Sequence, residues 1–200
     1  MYGLAPSQWQ IASLFFLAIF LFCATVADMR TRRVPNVLVL VTLMVGIFLS
    51  LADTASDART GVFSVQPGAL GLWLSLAGAL TGLLLFLPFY LLRVLGAGDV
   101  KLMAAVGAFA GPVATVNLTL FVLLAGGVLA LARLLLFPGK ELVRANLVAM
   151  LGQMRSGASG PGFDAATQTA WRMPYAVAIA SGVLAYGAWT LSGRSPMLNF

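Results

Sequence analysis

Six stretches of this chain are apolar for the length that a bilayer demands, or close to it, and they dictate the architecture before any motif is read. A hydrocarbon core about 30 Å thick takes roughly 17 to 25 helical residues. Such windows run from Trp9 to Ala27, Val37 to Ala52, Ala69 to Leu95, Leu102 to Val116, Leu118 to Phe137 and Pro174 to Leu191. The second and fourth are short and the third is generous, which implies tilt or partial immersion. With 60% apolar residues, 9% charged ones and a mean hydropathy of +0.97, a soluble domain is excluded. The expected fold is all-α, a polytopic membrane protein of about six helices forming a single domain over residues 1–200.

Charge supplies the orientation. Lys and Arg outnumber Asp and Glu by 12 to 6, yet no basic helix or aromatic-basic interleaving marks a nucleic-acid partner. The first window has no basic stretch ahead of it, and Asp28 followed by three arginines stands where a small-residue cleavage site would be, so a retained helix is expected. An outside N-terminus collects Arg30, Arg32, Arg33, Arg93, Lys101, Arg133, Lys140, Arg144, Arg155 and Arg172 on the cytoplasmic flanks. Only Arg59 and Arg194 then lie outside, a strong positive-inside bias for a multi-pass protein. The same topology puts the Asp53 to Pro67 loop outside and both Asp28 and Asp99 at the cytoplasmic face.

Residues 138–173 form the long cytoplasmic connection. Val143, Leu147, Met150 or Leu151, and Met154 recur at helical spacing and predict an amphipathic helix lying in the interface, followed by a flexible Ser156–Gly162 linker. Gly78-x-x-x-Gly82 and Gly107-x-x-x-Gly111 align small residues for close helix packing, and Pro88 predicts a kink.

What is missing narrows the chemistry. With no histidine and one cysteine, Cys23, inside the first apolar run, the usual nucleophile–histidine pairs, zinc sites and disulfides have no residues to use. No serine–lysine dyad is evident on one face. Gly96-Ala97-Gly98-Asp99-Val100-Lys101 lacks the Gly-Lys-Ser/Thr ending of a phosphate loop, and its Asp would repel phosphate. Its glycines instead let the backbone turn sharply and approach an extended peptide, with Asp99 opening the fourth helix. A carboxylate at membrane depth is costly and reads as functional. If the fourth helix turns near Gly111-Pro112, Asp99 lies about 20 Å below that turn, in a partly dry pocket where two carboxylates would hold one proton between them. Such a pair can activate water and polarise a peptide carbonyl without metal or cofactor.

Asp28-Met29-Arg30-Thr31-Arg32-Arg33-Val34-Pro35-Asn36 resembles the first aspartate motif of the type IV prepilin peptidases, an Asp followed by basic residues and Ile/Val-Pro-Asn. Gly96-Ala97-Gly98-Asp99 is similar to their second motif, the Gly-x-Gly-Asp signature shared with presenilin-type intramembrane proteases, and Met173-Pro174-Tyr175 to a Pro-Tyr element near the last helix. The resemblance spans about Val26 to Ala180. It implies that Asp28 and Asp99 are the catalytic pair and that the substrates are prepilins or pseudopilins, cut just before their hydrophobic helix at the cytoplasmic membrane surface. It further implies supporting or substrate-binding roles for Pro35, Asn36, Gly96, Gly98, Lys101, Pro174 and Tyr175. The larger bifunctional relatives carry a four-cysteine region and a methyltransferase domain. Without them the chain resembles the short, tight-adherence (Flp pilus) form, from which N-methylation is not expected.

Several of these residues also have plain structural readings. The arginines serve orientation and headgroup contact, Pro35 and Asn36 a turn, Lys101 either the charge of Asp99 or the membrane surface. Asp28 reads as a helix-end carboxylate paired with Arg32 four residues on. Two other functions fit paired membrane carboxylates: a proton-coupled transporter and a non-catalytic subunit of pilus assembly.

Overall fold

The computed structural model describes residues 6–51, 61–64, 68–92, 94–136, 148 and 174–193. The expected interfacial helix and linker lie, Val148 apart, outside the described residues. Among the described residues the chain forms six helices: α1 (Pro6–Thr31), α2 (Asn36–Ser50), α3 (Gly71–Leu91), α4 (Ala97–Ala110), α5 (Pro112–Leu136) and α6 (Tyr175–Leu191). Gln8–Thr31, Gly71–Leu91 and Pro112–Ala132 are long and apolar enough to cross a membrane; α2 and α6 are shorter apolar helices. The protein is an all-α membrane protein.

Several boundaries differ from the hydropathy windows, two of them instructively. The fourth window breaks at Gly111–Pro112 rather than near Val116, because apolar character continues through the turn while backbone geometry does not. Gly111 adopts φ +78°, open to glycine without strain, and donates its N–H to the Gly107 carbonyl at 2.9 Å. The third helix ends at Leu91, short of Leu95, and continues through Pro88, whose carbonyl accepts the Leu92 N–H at 2.9 Å.

The 14-residue α4 is the axis of the fold. It touches α1, α2, α3, α5 and α6 and is buried at every position from Leu102 to Ala110. At about 1.5 Å per residue it is roughly 21 Å long, too short to cross alone. Small residues make its closest crossings, while Leu102, Met103, Phe109 and Phe86 are buried in the same core. Large side chains such as Phe22, Trp73 and Leu124 are exposed on the outside, whereas Gly78, Gly82, Ser75 and the α4 alanines are buried. Lipid offers no hydrophobic drive for helices to associate, so small residues that admit close van der Waals approach do so instead. A Cβ at Gly78 would run into the Gly107 carbonyl, and one at Gly107 into the Gly78 carbonyl, so both glycines are packing residues as their spacing predicts.

The C-terminal end of α4 is sealed by polar contacts. Pro112 has no N–H to give to the Ala108 carbonyl four residues back. That carbonyl is met by the hydroxyls of Ser75, at 2.8 Å, and Ser50, at 3.2 Å, from α3 and α2. Next to it Gly61 and Gly68 form an antiparallel bridge, with Val62 and Phe63 buried. Gln10 donates to the carbonyls of Val62 and Ser64, both at 2.9 Å, and the Trp9 indole donates to Leu49 at 2.7 Å. These ties fix one end of the bundle and leave the other, where α1 ends and α2, α4 and α6 begin, to carry the motifs.

Candidate active site

At that second end α1 stops in a tight turn. Arg32 closes it with φ +54°, its N–H bonding to the Asp28 carbonyl at 2.8 Å, and the Thr31 hydroxyl is shared between the carbonyls of Ala27, at 2.9 Å, and Arg33, at 3.0 Å. Arg32 is the left-handed residue of this turn, and Asn36 opens α2 behind an extended Pro35 (φ −61°, ψ 130°). Left-handed backbone costs an L-residue about 1–2 kcal/mol. After the entropy that glycine adds to the unfolded chain is subtracted, Arg32→Gly should stabilise the fold by about 0.5–1 kcal/mol. A thermal melt in detergent checks this; a lower midpoint would show that the arginine side chain holds the turn.

Asp28 is 7% exposed although it sits near a helix end. Its Oδ2 accepts the Ala176 N–H at 3.1 Å, across 148 residues of sequence. The link to Arg32 runs through the main chain. Ala176 lies in the first turn of α6, where N–H groups have no partner inside the helix, and a carboxylate satisfies one of them while complementing the helix dipole. The sequence marks this place only through Pro174, which stands at the N-cap.

Asp99 occupies the first turn of α4, ahead of the apolar run from Leu102. Its Oδ2 accepts the Gly96 N–H at 3.1 Å, and its own N–H donates to the Gly96 carbonyl at 3.1 Å. The carboxylate thus caps the helix that carries it. Burial first, and the charge of Asp28 second, raise the Asp99 pKa to about 6 against the opposing pull of the Gly96 N–H. The two aspartates lie within electrostatic reach of each other.

Two contacts hold their segments together. A Cβ on Gly98 would sit 3.3 Å from the Val34 Cβ, so this glycine lets the α4 turn close against the α1–α2 connection. The Lys101 ammonium donates to the Asn36 Oδ1 at 3.1 Å, bridging the same two segments. Of the two readings open for Lys101, neutralising Asp99 or reaching the membrane surface, the structure shows neither. Tyr175 enters from α6, its ring edge-on to Phe86 with centroids 6.2 Å apart. All nine residues singled out in the sequence come to this end of the bundle. Val34, part of the first motif, joins them as a packing partner of Gly98, and Ala176, Phe86 and Gly126 join without any sequence signal, because an N–H group, a packing face and a missing side chain leave no chemical signature.

Fold and site define an α-helical membrane protein with two motif-borne carboxylates brought together beside the start of its last described helix. The chain belongs to the type IV leader peptidase family, whose model matches residues 15–131 and so includes both aspartates but not Pro174 or Tyr175. It is 35% identical over 131 residues to a "Prepilin leader peptidase/N-methyltransferase" of Dickeya chrysanthemi, covering 62% of this chain and 42% of that protein. A protein of the same description from Pectobacterium carotovorum subsp. carotovorum is 35% identical over 115 residues, covering 56% and 38%. The chain thus spans about two fifths of the length of these relatives. No solved structure matches it.

Proposed function

We propose that this protein is a membrane aspartic endopeptidase that removes the leader of type IV prepilins, of the Flp-like kind, at the cytoplasmic face of the inner membrane. The supporting observation is that Asp28 and Asp99, 71 positions apart, come within electrostatic reach of each other in a chain of the leader peptidase family. The exposed Arg30, Arg32 and Arg33 and the Lys101 ammonium stand at the same end of the bundle, which favours the cytoplasmic side for the site.

In this reading the ionised carboxylate takes a proton from water as the water oxygen bonds to the scissile carbonyl carbon. The protonated partner first hydrogen-bonds the carbonyl oxygen and then gives its proton to the departing amine as the C–N bond breaks. The pair ends with one proton, as it began. The Lys101–Asn36 bridge and the Gly98–Val34 contact keep the two carboxylates in place. Incubating the purified protein in detergent with a Flp-type prepilin tests the reading: the substrate should shorten by its leader, and a substrate left intact by the wild-type protein would sink it.

The pH dependence follows from Asp99. Below its pKa of about 6 this carboxyl holds a proton, and above it Asp99 ionises. The rate of prepilin cleavage should therefore fall as pH rises through about 6, before any substrate-induced shift is added. A rate that climbs steadily from pH 5 to pH 8 would mean that Asp99 does not hold the working proton.

A further inference from the structure

We propose that the Tyr175 hydroxyl is a third catalytic group, donating a hydrogen bond to the substrate's carbonyl oxygen as that oxygen takes up negative charge. The assignment rests on the peptidase reading above and adds a residue to it.

Tyr175 is fixed on three sides. Its main chain is pinned next to one carboxylate, because the following residue, Ala176, gives its N–H to Asp28 at 3.1 Å. Its ring packs edge-on against Phe86 at an interplanar angle of 67°. Its far end fills the space left by a missing side chain on α5: a Cβ at Gly126 would lie 3.1 Å from the tyrosine hydroxyl oxygen and 3.2 Å from the ring. The hydroxyl also lies within the field of Asp99. The main chain beside Tyr175 thus meets Asp28, while the tyrosine hydroxyl lies in the field of Asp99.

Packing explains the ring but not the oxygen. Phenylalanine would make the Phe86 and Gly126 contacts equally well. A half-buried phenol costs desolvation free energy unless it finds an acceptor, and among the described residues the Tyr175 hydroxyl has none within hydrogen-bonding distance. A donor held rigidly within the field of Asp99, with no acceptor among the described residues, suits an acceptor that arrives with the substrate. As water adds, the C=O π pair moves onto the carbonyl oxygen; water's proton goes to the ionised aspartate, and the tyrosine proton stays on Tyr175 while bonding the new oxyanion. Preorganised donors of this kind act mainly on the transition state.

Tyr175→Phe isolates the oxygen. Assayed with a Flp-type prepilin in detergent, it should lower kcat by about 10²-fold, with KM within about twofold of wild type and the melting midpoint unchanged. Tyr186, three turns further along α6 among Phe63 and Phe121, supplies the control: Tyr186→Phe should keep the wild-type kcat. A Tyr175→Phe protein with wild-type kcat would overturn the proposal. So would a loss that tracks a lowered melting midpoint or appears only as a raised KM. Asp28→Asn and Asp99→Asn, run alongside, separate the two ideas: cleavage surviving in those variants removes the peptidase reading itself, whereas their inactivity beside an active Tyr175→Phe removes only the tyrosine.

Discussion

Asp28→Asn and Asp99→Asn should each reduce prepilin cleavage by about 10³-fold or more while the protein stays folded in the membrane. The chemical loss is large because a pair that shares one proton has no partial mode: an amide can neither take the proton from water nor deliver one to the amine. Folding should survive because an amide oxygen still accepts the bonds now made to the carboxylates, from Ala176 N–H at position 28 and Gly96 N–H at position 99. A neutral group at position 28 also removes the charge that opposes ionisation of Asp99, so the variant's Asp99 should titrate lower than about 6. The melting midpoint should hold or rise, since burying one carboxylate beside another is costly. Asp→Glu at either position should also be inactive, because a longer side chain leaves the geometry that the caps impose. Full cleavage by the asparagine variants would point to a non-catalytic assembly subunit, and tolerance of glutamate together with solute flux to a transporter.

Gly107→Val should have the largest effect on stability. Where α3 and α4 cross, Gly78 and Gly107 meet backbone to backbone, and a side chain on either would occupy the place of the other's carbonyl. No rotamer relieves such a contact, so the helices must move apart along the most intimate interface of the fold. A loss of about 3 kcal/mol or more is expected, toward the upper end of what overpacked cores show. The readout is the melting midpoint and the yield of monodisperse protein in detergent. Gly127→Ala provides the contrast: nothing lies within 4 Å of a Cβ there, and alanine is favoured over glycine in a helix by about 1 kcal/mol. Equal behaviour of the two variants would mean that the α3–α4 crossing is looser than the structure shows. Because Asp99 rides on α4, a separated crossing should also depress activity in whatever protein survives.

Much of this protein is legible along the chain. Apolar windows mark the helices because lipid requires every membrane segment to satisfy its own backbone. The Asp28–Asn36 and Gly96–Lys101 motifs mark the candidate site because a carboxylate at membrane depth is expensive and, with histidine absent and a single cysteine, few other groups could carry the hydrolysis proposed. The packing glycines show through their spacing of four, which puts them on one helix face. Hydropathy fails where the answer depends on backbone geometry: it runs past the α4–α5 turn, which Gly111 and Pro112 set through a positive φ and a missing N–H.

The partners of the site residues come from the tertiary structure alone. Lys101, open in the sequence to a role beside Asp99 or at the membrane surface, meets Asn36, and Asp28, whose plain structural reading pairs it with Arg32, accepts a bond from Ala176. Each depends on which helix end arrives beside which, and nothing local encodes that. The sequence thus determines that two carboxylates stand at the ends of apolar segments. Their approach is decided by a short central α4, set in place by glycines at its crossings and by a sealed far end, so that the first turn of one helix and the last turn of another converge at the start of α6.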